Sequence, residues 1–129
     1  MTRYKAGIDI GSTTVKLVVL DHDNKLVFNE YTRHFSDIKT AVIRLIKDCY
    51  ASLGDVWLNL TITGSGGLSV SKWLGLNFVQ EVIACQKAVE TYIPETDVVI
   101  ELGGEDAKIT YLRGGIEQRM NASCAGGTG

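Results

Sequence analysis

A carboxylate stands directly before a turn of glycine and hydroxylated residues near the start of the chain. Residues 7–21 read GIDIGSTTVKLVVLD, an apolar run that reaches Asp9, breaks, and resumes as a second run ending at Asp21. A tight turn of small residues can direct backbone N–H groups and hydroxyls toward one phosphate, and a carboxylate beside it can hold the accompanying Mg²⁺. An ordinary β-hairpin is the other interpretation. The turn supplies four candidate phosphate ligands, Gly11, Ser12, Thr13 and Thr14.

The same kind of signal recurs in residues 97–120, DVVIELGGEDAKITYLRGGIEQRM. An apolar strand ends at Glu101, Gly103 and Gly104 follow, and a further strand is predicted over residues 107–112. Two such units favour two half-domains that contact one nucleotide from either side, each with an acid able to reach the metal. This repetition favours a nucleotide site over a simple hairpin.

Cys124 is the third candidate for chemistry, in the segment MNASCAGGTG at residues 120–129. Backbone N–H groups at a helix N-terminus lower the pKa of a thiol and stabilise a thiolate, and such a thiolate suits an iron–sulfur cluster. From the residues alone, a structural or merely exposed cysteine is an equal alternative. The other cysteines, Cys49 and Cys85, show no CxxC spacing with it, so a disulfide framework is not expected.

These motifs together resemble one known family. Residues 7–21 and 100–104 resemble the two phosphate motifs of the actin, heat-shock-70 and sugar-kinase superfamily. Residues 120–129 resemble the MN-x-x-CA-x-GTG signature of the ATPase activators of 2-hydroxyacyl-CoA dehydratases, which the related benzoyl-CoA reductase ATPase subunits share. The resemblance extends over essentially the whole chain.

The resemblance implies a cytoplasmic ATPase that binds ATP or ADP with Mg²⁺. It further implies a [4Fe–4S] cluster shared between the subunits of a homodimer, which passes one electron to a dehydratase or reductase partner protein or fused domain. Ferredoxin or flavodoxin is the implied electron donor. Carried onto this sequence, the catalytic residues are Asp9, Glu101 and Glu105, Cys124 is the cluster ligand and Asp9 the Mg²⁺ ligand. The nucleotide contacts are Gly11, Ser12, Thr13, Thr14, Lys16, Gly103, Gly104, Gly127 and Thr128.

Three positions depart from the family pattern. Glu101 stands where Asp is usual, Glu105 replaces a Gln, and Gly67 replaces the Arg of a TGxGR segment at residues 63–67. These departures favour a first alternative, a non-catalytic nucleotide-sensing or assembly module of a larger protein. A second alternative is a small-molecule kinase of the sugar-kinase type, for which Asp106 is the only candidate base between the motifs.

The predicted fold is α/β: a ribonuclease-H-like, actin-like ATPase half-domain with a mixed sheet and flanking helices, over residues 1–95, and the truncated start of a second over 96–129. Strands are predicted up to Asp9, from the turn to Asp21, and over residues 26–33, 56–63 and 97–101. A helix capped by Ser36 or Asp37 carries an apolar stripe ending at Cys49, and two more helices are predicted over residues 68–74 and 79–92. His34, at a strand end, is expected to be solvated. We expect this chain to be part of a longer natural protein. The piece by itself is expected to be inactive and to hold no cluster.

Composition excludes several classes. The 129 residues carry a formal charge of −2 and 45% hydrophobic residues, enough for a core. No basic stripe with interleaved aromatic residues indicates nucleic acid. The first residues, MTRYKAGIDIG, lack the apolar segment of a signal peptide, and no run reaches membrane-spanning length. The composition is typical of a cytoplasmic globular protein without a membrane partner.

Overall fold

The computed structural model describes residues 2–103, 107–112 and 117–120 and divides into two compact units at the Val79–Gln80 bond. The predicted half-domains, residues 1–95 and 96–129, remain predictions. In the described part of the chain, no helix combines the length and apolar character that a bilayer crossing requires.

The first unit is a mixed five-stranded sheet with two helices. In chain order its elements are β1 (Arg3–Ile10), β2 (Thr14–Leu20), β3 (Leu26–Arg33), α1 (Ile38–Leu53), β4 (Trp57–Thr63), α2 (Gly67–Leu74) and β5 (Asn77–Phe78). The strand order is β3-β2-β1-β4-β5, with β1 antiparallel to β2 and parallel to β4. The predicted α/β fold with a mixed sheet is confirmed.

One face of this sheet forms the core with the helices. Side chains alternate along a strand, so Ile8, Leu17 and Ile62 all lie on this face, fully buried. The predicted stripe of α1 packs on it, with Leu45 fully buried and Cys49 2% exposed. Every second strand residue therefore lies on the opposite face, where polar side chains are available for chemistry.

The loop between β3 and α1 ends in a cap. The side chain of Asp37 accepts a hydrogen bond from Thr40 N–H, which satisfies one of the free donors of the first helical turn. The sequence left Ser36 and Asp37 as alternatives, and the structure selects Asp37. At its other end, α1 terminates at Gly54, which has a φ of +77°.

The second unit contains one helix and an antiparallel sheet: α3 (Glu81–Tyr92), β6 (Val98–Leu102), β7 (Ala107–Tyr111) and β8 (Glu117–Met120), in the strand order β6-β7-β8. Two details differ from the sequence-based prediction. The helix begins at Glu81 rather than Val79, because Val79 N–H donates to Ile62 O and extends the contact of β5 with β4. The two-residue strand β5 was not predicted.

Candidate functional site

The predicted phosphate turn is the turn of the β1–β2 hairpin. Gly11 N–H donates to Thr14 O over 2.9 Å and closes the turn. Ser12 and Thr13, at its tip, are exposed. The hairpin interpretation is therefore correct as a description of the backbone, and it is compatible with phosphate binding, because the tip residues keep their donors available to an anion.

Asp9 lies one residue before the end of β1, on the face opposite the core. Lys16 of β2 and Thr63 of β4 are its register partners on the two neighbouring strands. Thr63 Oγ1 is buried and makes no hydrogen bond within the described residues. Because buried polar atoms normally have partners, this hydroxyl has bonding capacity left for a water or ligand beside Asp9. Carboxylate and hydroxyl oxygens are donors that Mg²⁺ accepts, so these residues fit the expected metal.

The predicted loop at residues 63–67 packs directly on the end of β1. Gly66 N–H donates to Ile10 O over 2.9 Å. Gly64 has a φ of +100°, and a Cβ there would lie 2.6 Å from Asp9 Oδ1 and from the carbonyl carbon of Ile10. No side chain fits at that distance. The absence of a side chain at residue 64 thus allows the loop backbone to approach Asp9.

Gly67 has a physical explanation in its surroundings. It begins α2, and a Cβ there would lie 2.8 Å from Ile62 Cγ2 and 3.1 Å from Phe78 Cε2. A side chain at this position would therefore displace Ile62 or Phe78. At this position, where the family carries an Arg, the Phe78 ring of β5 occupies the space beside Gly67.

His34 was expected to be solvated, and that expectation is wrong. Its residue exposure is only 8%. Its backbone N–H donates to Thr13 O over 3.0 Å, and its ring Nε2 lies 3.0 Å from Gly11 O. A single His at a strand end gives no sequence signal for this role, because its partners lie twenty or more residues earlier in the chain.

A small cavity of about 120 Å³ opens beside the hairpin turn. Arg33 contributes a cationic side chain to it, and the Arg33 guanidinium lies 5.4 Å from the centre of the Phe35 ring. Phe35 is 81% exposed although it is apolar. The lining consists of Ser12, Thr13, Arg33, His34, Phe35 and Ser36.

In the second unit, Glu101 lies on β6 opposite Lys108 of β7. Glu101 Oε2 is buried without a hydrogen bond among the described residues. Lys108 Nζ forms an ion pair with Glu81 Oε2 of α3. Burial, and secondarily the Glu101 carboxylate, raise the pKa of Cys85, so its thiol stays protonated at neutral pH. An acid, a cation and a thiol are thus brought together around the second motif.

Other predicted site residues lie outside the described residues: Gly104, Glu105, Cys124, Gly127 and Thr128, together with the kinase candidate Asp106. Gly103 is exposed at the end of β6. Among residues 2–103, 107–112 and 117–120, no three His, Cys, Asp or Glu side chains are grouped as a metal site.

Comparison with known proteins agrees with these motifs. Residues 6–129 match the model of the BadF/BadG/BcrA/BcrD ATPase family. The 2-hydroxyisocaproyl-CoA dehydratase activator of Clostridioides difficile is 32% identical over 98% of this chain and 48% of its own length. The chain spans about half the length of the curated relatives it matches.

Solved structures show the same fold. The (R)-2-hydroxyglutaryl-CoA dehydratase component A of Acidaminococcus fermentans superposes with a TM-score of 0.80 at 22% identity, covering 96% of this chain and 49% of that one. The Clostridium difficile activator of 2-hydroxyisocaproyl-CoA dehydratase, solved with bound ADPNP, gives a TM-score of 0.76 at 28% identity, covering 95% and 47%.

Proposed function

The chain belongs to the BadF/BadG/BcrA/BcrD ATPase family, and we propose that it is the nucleotide-binding part of an ATP-dependent activator of a CoA-ester dehydratase or reductase. The observation that carries the proposal is the end of β1. There Asp9, the hairpin turn and the Gly64–Gly66 loop are held together by short backbone contacts. ATPase activity of the full-length protein is part of this proposal.

In the first step, the hairpin turn binds the nucleotide phosphates. Ser12 and Thr13 offer hydroxyls and backbone N–H groups at the exposed tip. Asp9 would hold Mg²⁺, and the Thr63 hydroxyl beside it, which has no hydrogen-bond partner among the described residues, would be available to a water or a phosphate oxygen. Lys16, exposed on the same sheet face as Asp9, adds a positive charge. In this proposal Glu101, Gly103 and Gly104 supply the second phosphate motif, and Gly127 and Thr128 the loop that follows Cys124.

The coupled activity is the delivery of one electron. In the proposal, Cys124 and its counterpart in a second copy of the chain hold a [4Fe–4S] cluster together with two cysteines from outside this sequence. When bound, that cluster supplies the electron, which a ferredoxin or flavodoxin replaces in the cytoplasm. A nucleotide that binds one conformation more tightly shifts the population toward it, so ATP binding and hydrolysis can change how the dimer presents Cys124 to its dehydratase or reductase partner.

The metal role of Asp9 is tested by Asp9→Ala in the full-length protein. We expect Mg²⁺-dependent ATP hydrolysis to fall at least about 100-fold, the scale of removing a group that stabilises charge in a transition state, while ADP affinity changes much less because the backbone donors remain. Asp55→Ala is the matched control, since Asp55 is exposed before β4, at the opposite end of the sheet. Wild-type turnover in Asp9→Ala would refute the assignment of the phosphate motif.

The redox role is tested by Cys124→Ser in protein purified without oxygen. Wild-type protein should contain about four iron atoms and four sulfides per dimer, and the variant should lose them while it keeps nucleotide binding, because serine removes the soft sulfur ligand. Cys49→Ser is the control, because Cys49 is enclosed in the core. Iron-free wild-type protein that hydrolyses ATP normally would contradict the electron-transfer role.

A nucleotide-sensing or assembly module is the second candidate. It is favoured by Gly67, where Ile62 and Phe78 leave no room for the family's Arg, and by Glu101 in place of Asp. This candidate predicts nucleotide binding without turnover, which separates it from the activator in the same assays.

A further inference from the structure

His34 joins the segment between β3 and α1 to the hairpin turn. It is one of the few buried polar residues among those described, with 8% exposure. Its backbone N–H donates to Thr13 O, and its ring Nε2 lies 3.0 Å from Gly11 O. One side chain and its own backbone therefore contact two carbonyls of a turn of four residues.

The partners of the imidazole determine its tautomer. Ser36 N–H lies 3.0 Å from Nδ1 and can only donate, so Nδ1 must carry a lone pair. Gly11 O can only accept, so Nε2 must carry the proton. The two bonds are compatible only with a neutral ring protonated at Nε2. His34 is thus a directed donor to the turn.

An unfavourable backbone conformation holds the ring in this orientation. Phe35 and Ser36 follow His34 with φ of +47° and +64°, in the left-handed region that residues with a side chain avoid. Phe35 is 81% exposed, so burial of its ring does not offset this conformation. Two bonds hold it: Ser36 N–H to the ring, and Asp37 N–H to His34 O over 2.7 Å. Backbone strain of this kind is concentrated at functional sites.

The bond to Gly11 O orients the turn. In a trans peptide, the C=O of one residue and the N–H of the next point in opposite directions. When Gly11 O points at the His34 ring, Ser12 N–H points away from it. The ring therefore fixes the direction of one backbone donor at the tip of the turn before any ligand arrives.

We propose that His34 is a positioning residue for phosphate binding: its Nε2–H holds the Gly11–Ser12 peptide so that Ser12 N–H is presented to a nucleotide phosphate. This inference rests on the proposed nucleotide-binding function. A donor fixed in advance loses less conformational freedom on binding, so the ring contributes to phosphate affinity without touching the nucleotide.

Two variants at one position separate the two ring nitrogens. In His34→Gln, the side-chain amide can reach the place of Nε2 and donate to Gly11 O, but the acceptor for Ser36 N–H is lost. In His34→Asn, the shorter side chain places an oxygen near Nδ1 and accepts from Ser36 N–H, but the donor to Gly11 O is lost. Each variant removes one of the two ring bonds, so a purely structural role predicts similar melting temperatures and similar nucleotide affinities.

The experiment measures the dissociation constants of Mg²⁺–ADP and of adenosine by calorimetry, using the full-length protein and both variants. We expect His34→Asn to weaken Mg²⁺–ADP about 3- to 10-fold, the equivalent of one neutral hydrogen bond, and His34→Gln to stay within about twofold of wild type. Adenosine, which has no phosphate, should bind all three proteins equally. Equal Mg²⁺–ADP affinities in the two variants, or an equal loss for adenosine, would overturn the role of His34.

The outcome for wild type distinguishes the two proposals. Wild-type protein that binds no Mg²⁺–ADP overturns the nucleotide function and, with it, the role given to His34. Wild-type protein that binds Mg²⁺–ADP, with no difference between the variants, overturns only the positioning role of His34.

A second experiment needs no variants. Nitrogen NMR of the His34 ring in the wild-type protein at about pH 8 should show Nε2 protonated and Nδ1 without a proton. The opposite tautomer would contradict the inference.

Discussion

Replacing Gly64 by Ala tests how closely the Gly64–Gly66 loop packs on the end of β1. Two separate costs act on this substitution. Gly64 has a φ of +100°, where alanine is strained whatever space is available. The added Cβ would also lie 2.6 Å from Asp9 Oδ1 and would overlap the backbone carbonyl of Ile10. Since Ile10 pairs with Val15 of β2 and its carbonyl accepts the Gly66 N–H, that carbonyl cannot move without disturbing the end of the β1–β2 ladder and the bond to the loop.

The magnitude follows from these two contributions. A positive φ costs a residue with a Cβ about 1–2 kcal/mol, and forcing atoms into a packed region typically costs about 1–3 kcal/mol more. Gly64→Ala should therefore lower the free energy of unfolding by about 2–5 kcal/mol, a large part of the roughly 5–15 kcal/mol that holds a typical domain folded. The strain would fall on Asp9 and Ile10, so nucleotide affinity should fall in the same variant.

The matched control is Gly75→Ala. Gly75 also has a positive φ, +66°, but a Cβ there meets no atom within 4 Å. It should therefore show only the conformational cost, about 1–2 kcal/mol, and leave nucleotide binding unchanged. Urea denaturation of both variants measures the difference. If the two variants lose the same stability to within about 0.5 kcal/mol, the close contact between the loop and β1 is not present in solution.

Two further predictions concern titration and thiol chemistry. The hydroxyl of Thr40, and secondarily its backbone N–H, hold the pKa of Asp37 below its usual 3.8. The ionised Asp37 carboxylate therefore stabilises the folded state above that value, and this stabilisation is lost as the pH falls through the pKa of the folded state. Asp37→Asn can still cap α1 but lacks the charge, so it should be somewhat less stable than wild type at pH 7 and should lose less stability on acidification to about pH 3; an unchanged acid-denaturation profile would contradict this. Burial raises the pKa of Cys49, which is 2% exposed. In a variant with the other cysteines replaced by serine, alkylation of Cys49 at about pH 8 should therefore be slow until urea unfolds the protein. Rapid labelling of the folded protein would show that the core opens at Cys49.

Local patterns in the sequence were sufficient to predict most of the fold. The strand over residues 26–33 and the stripe of α1 were predicted because alternation and helical periodicity are properties of neighbouring residues. The strand β5 was not predicted because two residues, Asn77 and Phe78, show no periodicity. Their strand conformation depends on pairing with Thr61 and Ile62, a contact that no local pattern encodes.

The candidate site shows the same division. Asp9 and the hairpin turn were identified because an acid beside a small-residue turn is a local motif. Thr63 and His34 were not assigned roles, since their importance lies in contacts with β1 and with the turn. The same division holds for Gly67. The sequence indicated only that the family's Arg is missing, and the structure identifies Ile62 and Phe78 as the residues that a side chain at this position would contact.

The hairpin turn and the adjoining end of β1 are held from two sides by chain segments that come later in the sequence. Gly66 N–H bonds to Ile10 O from the loop before α2, and the His34 ring bonds to Gly11 O from the segment before α1. The consecutive carbonyls of Ile10 and Gly11 are thus each hydrogen-bonded to a different segment of the chain. Neither bond uses the N–H groups of Ser12 and Thr13 at the tip. If phosphate binds at the tip, the folded chain has already fixed the backbone that presents the donors, and binding need not reorganise it. Gly64→Ala and His34→Asn should then both weaken nucleotide binding for one reason, a disturbed backbone at the end of β1.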